Sequence, residues 1–258
     1  MLSWDDKLVV LKSAIELLEN SIDSFHAKLG SPYFIFEKGK KRFEYTLPTS
    51  LHFQFLKAVR VVSGLNAIMY LLEEGYGQEI GVLARTVFDF LDEIKYIQEA
   101  HEVGKQTAGQ KKIVDDFFAS TLKTADELMQ NLDKSNRVGK KEIIASITRL
   151  LSKFINPDRM SKIQQVLHQV YSGYVHGDYP QIMELYDGHI NKFRLRGMLD
   201  TPLIEGYRKV FAGLVHRSLN EFGILALGFG ISGLKEDIIK KRNEMQDGGV
   251  YDPRPKNK

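Results

Sequence analysis

One predicted helix carries polar side chains whose spacing could support chemistry. Gln78, Arg85, Asp89, Asp92 and Tyr96 fall on one stripe, opposite an apolar face. Arg85 and Asp89 are one helical turn apart, so their side chains can form an ion pair. On a solvated helix surface such a pair contributes a few tenths of a kcal/mol. The alternative is that this stripe faces a polar cleft or a partner.

A second set of polar residues ends a later predicted helix, in the segment HQVYSGYVHGDY. His168, Ser172 and His176 recur every fourth residue and therefore share one face. His168 and His176 lie about 12 Å apart along the axis, too far for one metal ion, so we predict no metal site. Because imidazole titrates near neutral pH, His176 is a candidate general acid or base. The alternative is that His176 stabilises the helix end before Gly177.

The composition excludes several kinds of site. With no cysteine, the chain has no disulfide, no Cys-based zinc site, no iron–sulfur cluster and no cysteine nucleophile. A GxGxxG match at 228–233 follows a predicted helix and precedes too short a segment for a βαβ unit, so it indicates a helix break. The chain has no P-loop, HExxH or GxSxG motif. We predict no cofactor.

Residues 33–45 change to a period of two, which predicts a small β-hairpin or extended arm. Four basic residues lie near its tip: Lys38, Lys40, Lys41 and Arg42. Aromatic side chains beside clustered basic ones are typical of single-stranded nucleic-acid binding. The alternative is a solvated turn whose aromatic residues pack on the rest of the protein. The net charge of +3 neither requires nor excludes a nucleic acid.

The first predicted helix has an apolar residue every three or four positions over three heptads: Leu8, Leu11, Ile15, Leu18, Ile22, Phe25 and Leu29. This seam indicates either a helix packed in a bundle or a dimer interface. The longest apolar run, at 222–234, has 13 residues and is too short to span a membrane. The N-terminus lacks the features of a signal peptide, so we expect a cytoplasmic protein with no membrane partner.

Helical periodicity along most of the 258 residues predicts an all-α, multi-helix bundle with the arm near 33–45 as a minor β element. No linker or fixed-period repeat divides the chain. We predict one helical domain over residues 1–246. The segment 247–258 is rich in Gly, Pro and Lys and is predicted to be a disordered tail.

The segments VLARTVFDFLDEIKYI and YSGYVHG resemble a family of bacterial helical proteins, and more widely the HEPN-type domains, over roughly residues 50–225. The resemblance implies a helical bundle acting as a metal-independent RNase or RNA-binding component of a stress, phage-defence or toxin–antitoxin system, with an antitoxin or other protein as a candidate partner. It implies that His176 moves protons, Arg85 stabilises the phosphorane and Asp89 holds Arg85. Ser172 or Tyr171 would orient the phosphate.

The chain departs from the catalytic HEPN pattern, because no Arg is followed by His after four to six residues. A catalytic site would therefore combine Arg85 and His176 from two helices, within about 6 Å of each other so that one phosphate bridges them. The missing motif favours the alternative, a non-catalytic dimeric interaction or scaffold module. A bundle that binds a small ligand is a third interpretation. We expect a homodimer with helix–helix contacts, through the seam of the first helix or the apolar surface at 222–234.

Overall fold

The all-α prediction is confirmed. The computed structural model describes residues 2–37, 39–119, 138–152 and 156–251. Within these ranges it contains nine helices and two small antiparallel hairpins. The helices are α1 (Trp4–Leu29), α2 (Ser50–Glu74), α3 (Gly77–Val103), α4 (Ala108–Phe118), α5 (Lys140–Leu151), α6 (Pro157–His176), α7 (Tyr179–Met183), α8 (Ile204–Gly228) and α9 (Ser232–Asp247). The strands are β1 (Tyr33–Glu37), β2 (Lys40–Glu44), β3 (Tyr186–Asp187) and β4 (Lys192–Phe193).

Local capping residues fix the ends of the first two long helices. Ser3 and Asp6 form a reciprocal capping box at the start of α1, and Gly30 ends that helix. Thr49 begins α2, with the His52 side chain bonded back to the Thr49 amide. Gly75 adopts the left-handed conformation that ends α2 and turns the chain into α3.

The main core lies between α1, α2, α3, α8 and α9. The predicted seam of α1 faces this core, since Leu11, Leu18 and Phe25 are fully buried. Helix α8 is also central, with Phe211 and Phe222 fully buried. The two surfaces on which the expected homodimer rested are therefore used within the protomer. A smaller apolar cluster joins α2 and α3 to α4 and α5.

Helix α2 has the length and apolar composition of a membrane span. In this structure, however, it packs against α1, α3 and α8. Ala58, Val61, Leu65 and Ile68 have no exposed surface. The composition of α2 is therefore that of a core helix enclosed by other helices.

The C-terminal boundary differs from the prediction. Helix α9 extends to Asp247, and Val250 is 7% exposed within the main core. Tyr251 packs its ring against that of His216. The folded part thus continues at least to Tyr251, past the expected boundary at 246, because Val250 offers an apolar anchor. Residues 252–258 lie outside the described part.

Helix α6 packs along α3 and α5, which brings its polar face against the polar stripe of α3. Gly81 permits this approach, since a Cβ there would lie 2.4 Å from the Tyr174 ring. Tyr174 and Tyr207 both donate to Glu184, just after α7, and so tie α6 and α8 to the segment that follows α6. Helix α6 is thereby fixed beside α3.

Candidate functional site

The polar stripe of α3 is not a solvated surface. Asp92 is 2% exposed and Tyr96 is 1% exposed. Arg85 and Asp89 are half-buried between α3, α5 and α6. Of the two interpretations of this stripe, the structure therefore supports a polar cleft between helices.

Arg85 connects α3 to α6. Its Nη1 donates to Asp89 Oδ1 at 2.5 Å, and its Nη2 lies 2.5 Å from His168 Nε2. A guanidinium can only donate, so Nε2 of His168 must accept and the ring proton lies on Nδ1. That Nδ1 is 3.4 Å from Ser172 Oγ. Arg85, His168 and Ser172 thus form one line of contacts with a defined histidine tautomer.

His168 is held in its neutral form. Partial burial lowers its pKa below the ordinary 6.5, and the positive charges of Arg85 and Lys140 lower it further. Asp89 and Asp92 act in the opposite direction without overcoming this effect. At neutral pH His168 therefore carries a lone pair on Nε2, directed at the Arg85 guanidinium.

Two carboxylates on α3 organise the rest of the cluster. Lys140 Nζ, from α5, lies 2.6 Å from both Asp89 Oδ1 and Asp92 Oδ2. Arg217, from α8, donates to the other oxygen of Asp92. Burial raises the pKa of Asp92, but Arg217 and Lys140 outweigh burial, so the pKa lies below its ordinary value. Asp92 is thus a buried anion held by two cations.

The cluster has a net charge of +1, because Arg85, Lys140 and Arg217 outnumber Asp89 and Asp92. The niche among these side chains is small, about 10 Å³, which is room for about one water molecule. A larger anion therefore has to contact the cluster from its exposed side, which His168 and Arg85 reach.

The structure pairs Arg85 with His168 rather than with His176. His176 is the last residue of α6 and is exposed, two helical turns from His168. Gly177 follows it with φ +66°, as the helix-end interpretation requires. The expected contact between Arg85 and His176 is therefore wrong, because α6 directs its middle turns, not its end, at α3. Arg85, Asp89 and Ser172 do come together, around His168.

Tyr171, the other candidate for orienting a phosphate, is only 7% exposed. Its ring packs on Phe88, with centroids 5.2 Å apart. Burial raises the pKa of Tyr171 to about 12, so its hydroxyl remains protonated. Tyr171 therefore serves as a wall of the niche.

The sequence interpretation gave no role in the site to four members of the cluster: Asp92, Lys140, His168 and Arg217. His168 had a signal, since it shares a face with Ser172, and Asp92 lies one turn from Asp89. Arg217 also had one, because an arginine in a largely apolar part of a helix needs an anion when it is buried. Lys140 had none, since it lies 48 residues from Asp92 in the chain.

The basic residues of the hairpin do not form one surface. Opposite residues share a face, so Lys41 lies with Phe36, while Arg42 lies on the other face and pairs with Glu44. Phe34, Phe36 and Phe43 are 53%, 64% and 68% exposed on the first face. These three phenylalanines therefore do not pack on the bundle, whereas the Tyr45 ring contacts that of His52 in α2. Lys38 and the side chain of Lys40 lie outside the described residues.

Within the described ranges, no group of three or more His, Asp or Glu side chains is arranged to hold a metal ion. Comparisons of the chain with models of protein families, with curated proteins and with solved structures found no match.

Proposed function

We propose that this protein is a HEPN-like, RNA-binding protein that cleaves single-stranded RNA at a composite site made by Arg85 and His168, without a metal ion. One observation carries the proposal: a neutral histidine lies 2.5 Å from an arginine on another helix, in a half-buried, net positive cluster. Attack by a ribose 2′-hydroxyl on phosphorus needs two groups, a general base and a cation that binds the phosphate.

In this reaction Arg85 turns the Nη2 edge of its guanidinium from His168 to the phosphate. The Nε2 of His168 then accepts the proton of the 2′-hydroxyl, whose oxygen attacks phosphorus. The bond to the 5′-oxygen breaks, and that oxygen takes a proton from solvent water. The products are a 2′,3′-cyclic phosphate and a 5′-hydroxyl. Asp89 holds Arg85, and Ser172 accepts from Nδ1 of His168 and fixes the tautomer.

The exposed aromatic face of the hairpin supports a single-stranded substrate. The Phe34 and Phe43 rings form an edge-on pair 5.5 Å apart, and Phe36 lies on the same face with Lys41 opposite. Bases stack on exposed rings of this kind regardless of sequence, and a lysine beside them attracts the backbone. We therefore assign strand binding to the hairpin and cleavage to the Arg85–His168 cluster.

Cleavage of a labelled single-stranded RNA in the presence of a chelator tests this proposal. We expect His168→Ala to lower the rate by at least about 100-fold. His176→Ala is the matched control, on the same helix and exposed, and keeps the wild-type rate. The rate should rise with pH as His168 loses its proton. It should reach its plateau before pH 6.5, because the pKa of His168 is lowered. A 2′-deoxy substitution at the cleaved nucleotide should abolish the reaction.

Thermal melts of both variants separate a folding defect from a catalytic one. Equal loss of activity in the two histidine variants, or unchanged activity in His168→Ala, contradicts the role of His168. No cleavage by the wild-type protein contradicts the catalytic proposal as a whole.

A second candidate function, the non-catalytic interaction module, rests on the outer face of α6. Ile163, Val166 and Val170 follow each other at helical spacing and are 43%, 57% and 43% exposed. Three large apolar residues in one exposed stripe are typical of a protein-binding surface. This face, and not the seam of α1, is where a homodimer or another protein partner would bind.

Light scattering at tens of micromolar protein tests the dimer. We expect a 59 kDa species, twice the 29.5 kDa chain, that Val166→Lys converts to monomer. Val9→Lys is the control, because Val9 is a single exposed valine on α1. A monomeric wild-type protein contradicts this candidate.

A further inference from the structure

A large cleft adjoins the small niche at His168, and both are lined by Phe88, Gln164, Leu167 and Tyr171. Helix α6 packs against α3 and α5, whereas α8 packs against α3 and α9, and a cleft of about 950 Å³ remains between α6, α8 and α9. This volume is at the upper end of the range for small-molecule sites. We call it the α6–α8 cleft.

Most of the α6–α8 cleft is apolar. Its wall includes Ile147, Leu151, Ile163, Ile224, Leu227 and Ile239. Leu227 and Ile163 are 51% and 43% exposed. Covering such side chains with a ligand favours binding by about 25 cal/mol for each Å² of apolar surface removed from water. The apolar surface therefore favours a hydrocarbon segment.

The charged groups of the cleft are mostly positive. Lys95 pairs with Glu221, the one acidic residue of the lining, and Arg217 pairs with Asp92. Arg242 instead donates to two neutral amide oxygens, those of Asn220 and Asn243, at 3.0 Å. Among the described residues, the guanidinium of Arg242 thus has no carboxylate partner.

Arg242 and the apolar wall are suitably spaced for one ligand. Asn220, which holds Arg242, and Leu227 are both on α8, about 10 Å apart along its axis. His216 beside them adds no charge, because burial and then Arg242 lower its pKa to about 4. Two lysines add further positive charge to the lining, Lys209 and Lys235. A guanidinium at one end, a mostly hydrocarbon wall and an excess of positive charge match an anion with an apolar tail.

We propose that the α6–α8 cleft binds a medium-chain carboxylate, with the carboxylate on Arg242 and the tail along Leu227 and its apolar neighbours. A neutral chain lacks the ion pair, and a cationic chain is repelled by Arg242. A carboxylate accepts two hydrogen bonds from a guanidinium, which fixes the orientation of the ligand. This proposal does not rest on RNA cleavage.

Isothermal titration calorimetry with dodecanoate below its micelle concentration tests this proposal on the full chain. We expect dodecanoate to bind at least about tenfold more tightly than dodecanol, and dodecyltrimethylammonium more weakly still. Arg242→Gln should remove this preference by weakening dodecanoate about tenfold, while Arg242→Lys keeps part of it. Lys240→Gln is the matched control, with the same charge change on an exposed position of α9.

A second variant tests the tail. Ile239→Asp places a carboxylate in the apolar wall and should weaken dodecanoate and dodecanol together. Equal affinities of the three probes, unchanged dodecanoate binding in a folded Arg242→Gln variant, or an equal loss in Lys240→Gln would each overturn the proposal. Melting curves of all variants identify any that fail to fold, and Arg242→Lys then replaces Arg242→Gln in the comparison with dodecanol.

Discussion

Replacing Asp92 by Asn tests whether the buried charge cluster holds the helices together. The side chain of Asp92 is 3% exposed, and those of its partners Arg217 and Lys140 are 18% and 25% exposed. Removing one member of a buried ion pair costs about 3–5 kcal/mol, because the other charge stays buried without its counter-ion. Lys140 keeps Asp89. We therefore expect a loss of about 3 kcal/mol, at the lower end.

Chemical denaturation at pH 7 measures this loss, with Asp115→Asn as the control. Asp115 pairs with Lys111 on the surface of α4, where the two side chains are 59% and 70% exposed. Such a pair contributes about 0.3–0.5 kcal/mol. If the two variants differ by less than about 1 kcal/mol, the buried cluster does not stabilise the fold as argued.

The contribution of Asp92 also depends on pH. Because its pKa is lower in the folded protein than the ordinary 3.8, the unfolded chain binds the proton more readily. The stabilisation is present above pH 3.8 and is lost as pH falls through the lower, folded value. The difference between wild type and Asp92→Asn should therefore be constant from pH 5 to 7 and shrink at lower pH. A double variant with Arg217→Met should be more stable than the sum of the single losses predicts.

Three further changes test other contacts. Gly39→Ala should cost about 1–2 kcal/mol of stability, because Gly39 has a positive φ. Gly197→Ala should cost more, because a Cβ at Gly197 would also lie 2.1 Å from the backbone oxygen of Glu74. Equal melting temperatures of the two variants would refute this. Tyr207→Phe removes a buried hydrogen bond to a carboxylate and should cost about 1.5–3 kcal/mol by denaturation. His216 has a pKa lowered to about 4, so the wild type should lose stability between pH 6.5 and 4. His216→Gln should flatten that loss, and an unchanged slope would exclude the effect.

The positions of the long helices could be predicted from the sequence, because the period of their apolar residues and their capping residues are local signals. The seam of α1 and the polar stripe of α3 have the 3.6-residue period, and Gly30 and Gly75 end α1 and α2. Periodicity predicts which residues share a face of a helix. It does not predict what that face packs against, so the seam of α1 was compatible with both a helix in the core of the bundle and a dimer interface.

The candidate site was harder to predict because it depends on long-range contacts. The period placed His168, Ser172 and His176 on one face of α6, but the choice among them depended on which turn of α6 meets α3. That contact is set by the packing of Tyr174 against Gly81, 93 residues away in the chain, and no local pattern reports it. Val250 shows a similar limit, since one apolar residue in a Gly-rich segment was enough to extend the fold.

The way in which α5 and α6 are attached has a consequence for local opening. They meet the rest of the protein mainly through α3. Helix α5 does so by charged contacts and the small apolar cluster, and α6 by charged contacts and an edge of the main core at Tyr171, whereas α8 is enclosed by apolar neighbours. Helix α6 therefore should detach in a partial opening that leaves the main core intact. Its backbone amides would exchange with deuterium sooner than those of α8, and added salt would widen the gap by screening the ion pairs of α5. Arg85 and His168 would separate in every such opening, so the candidate site exists only in the fully closed protein.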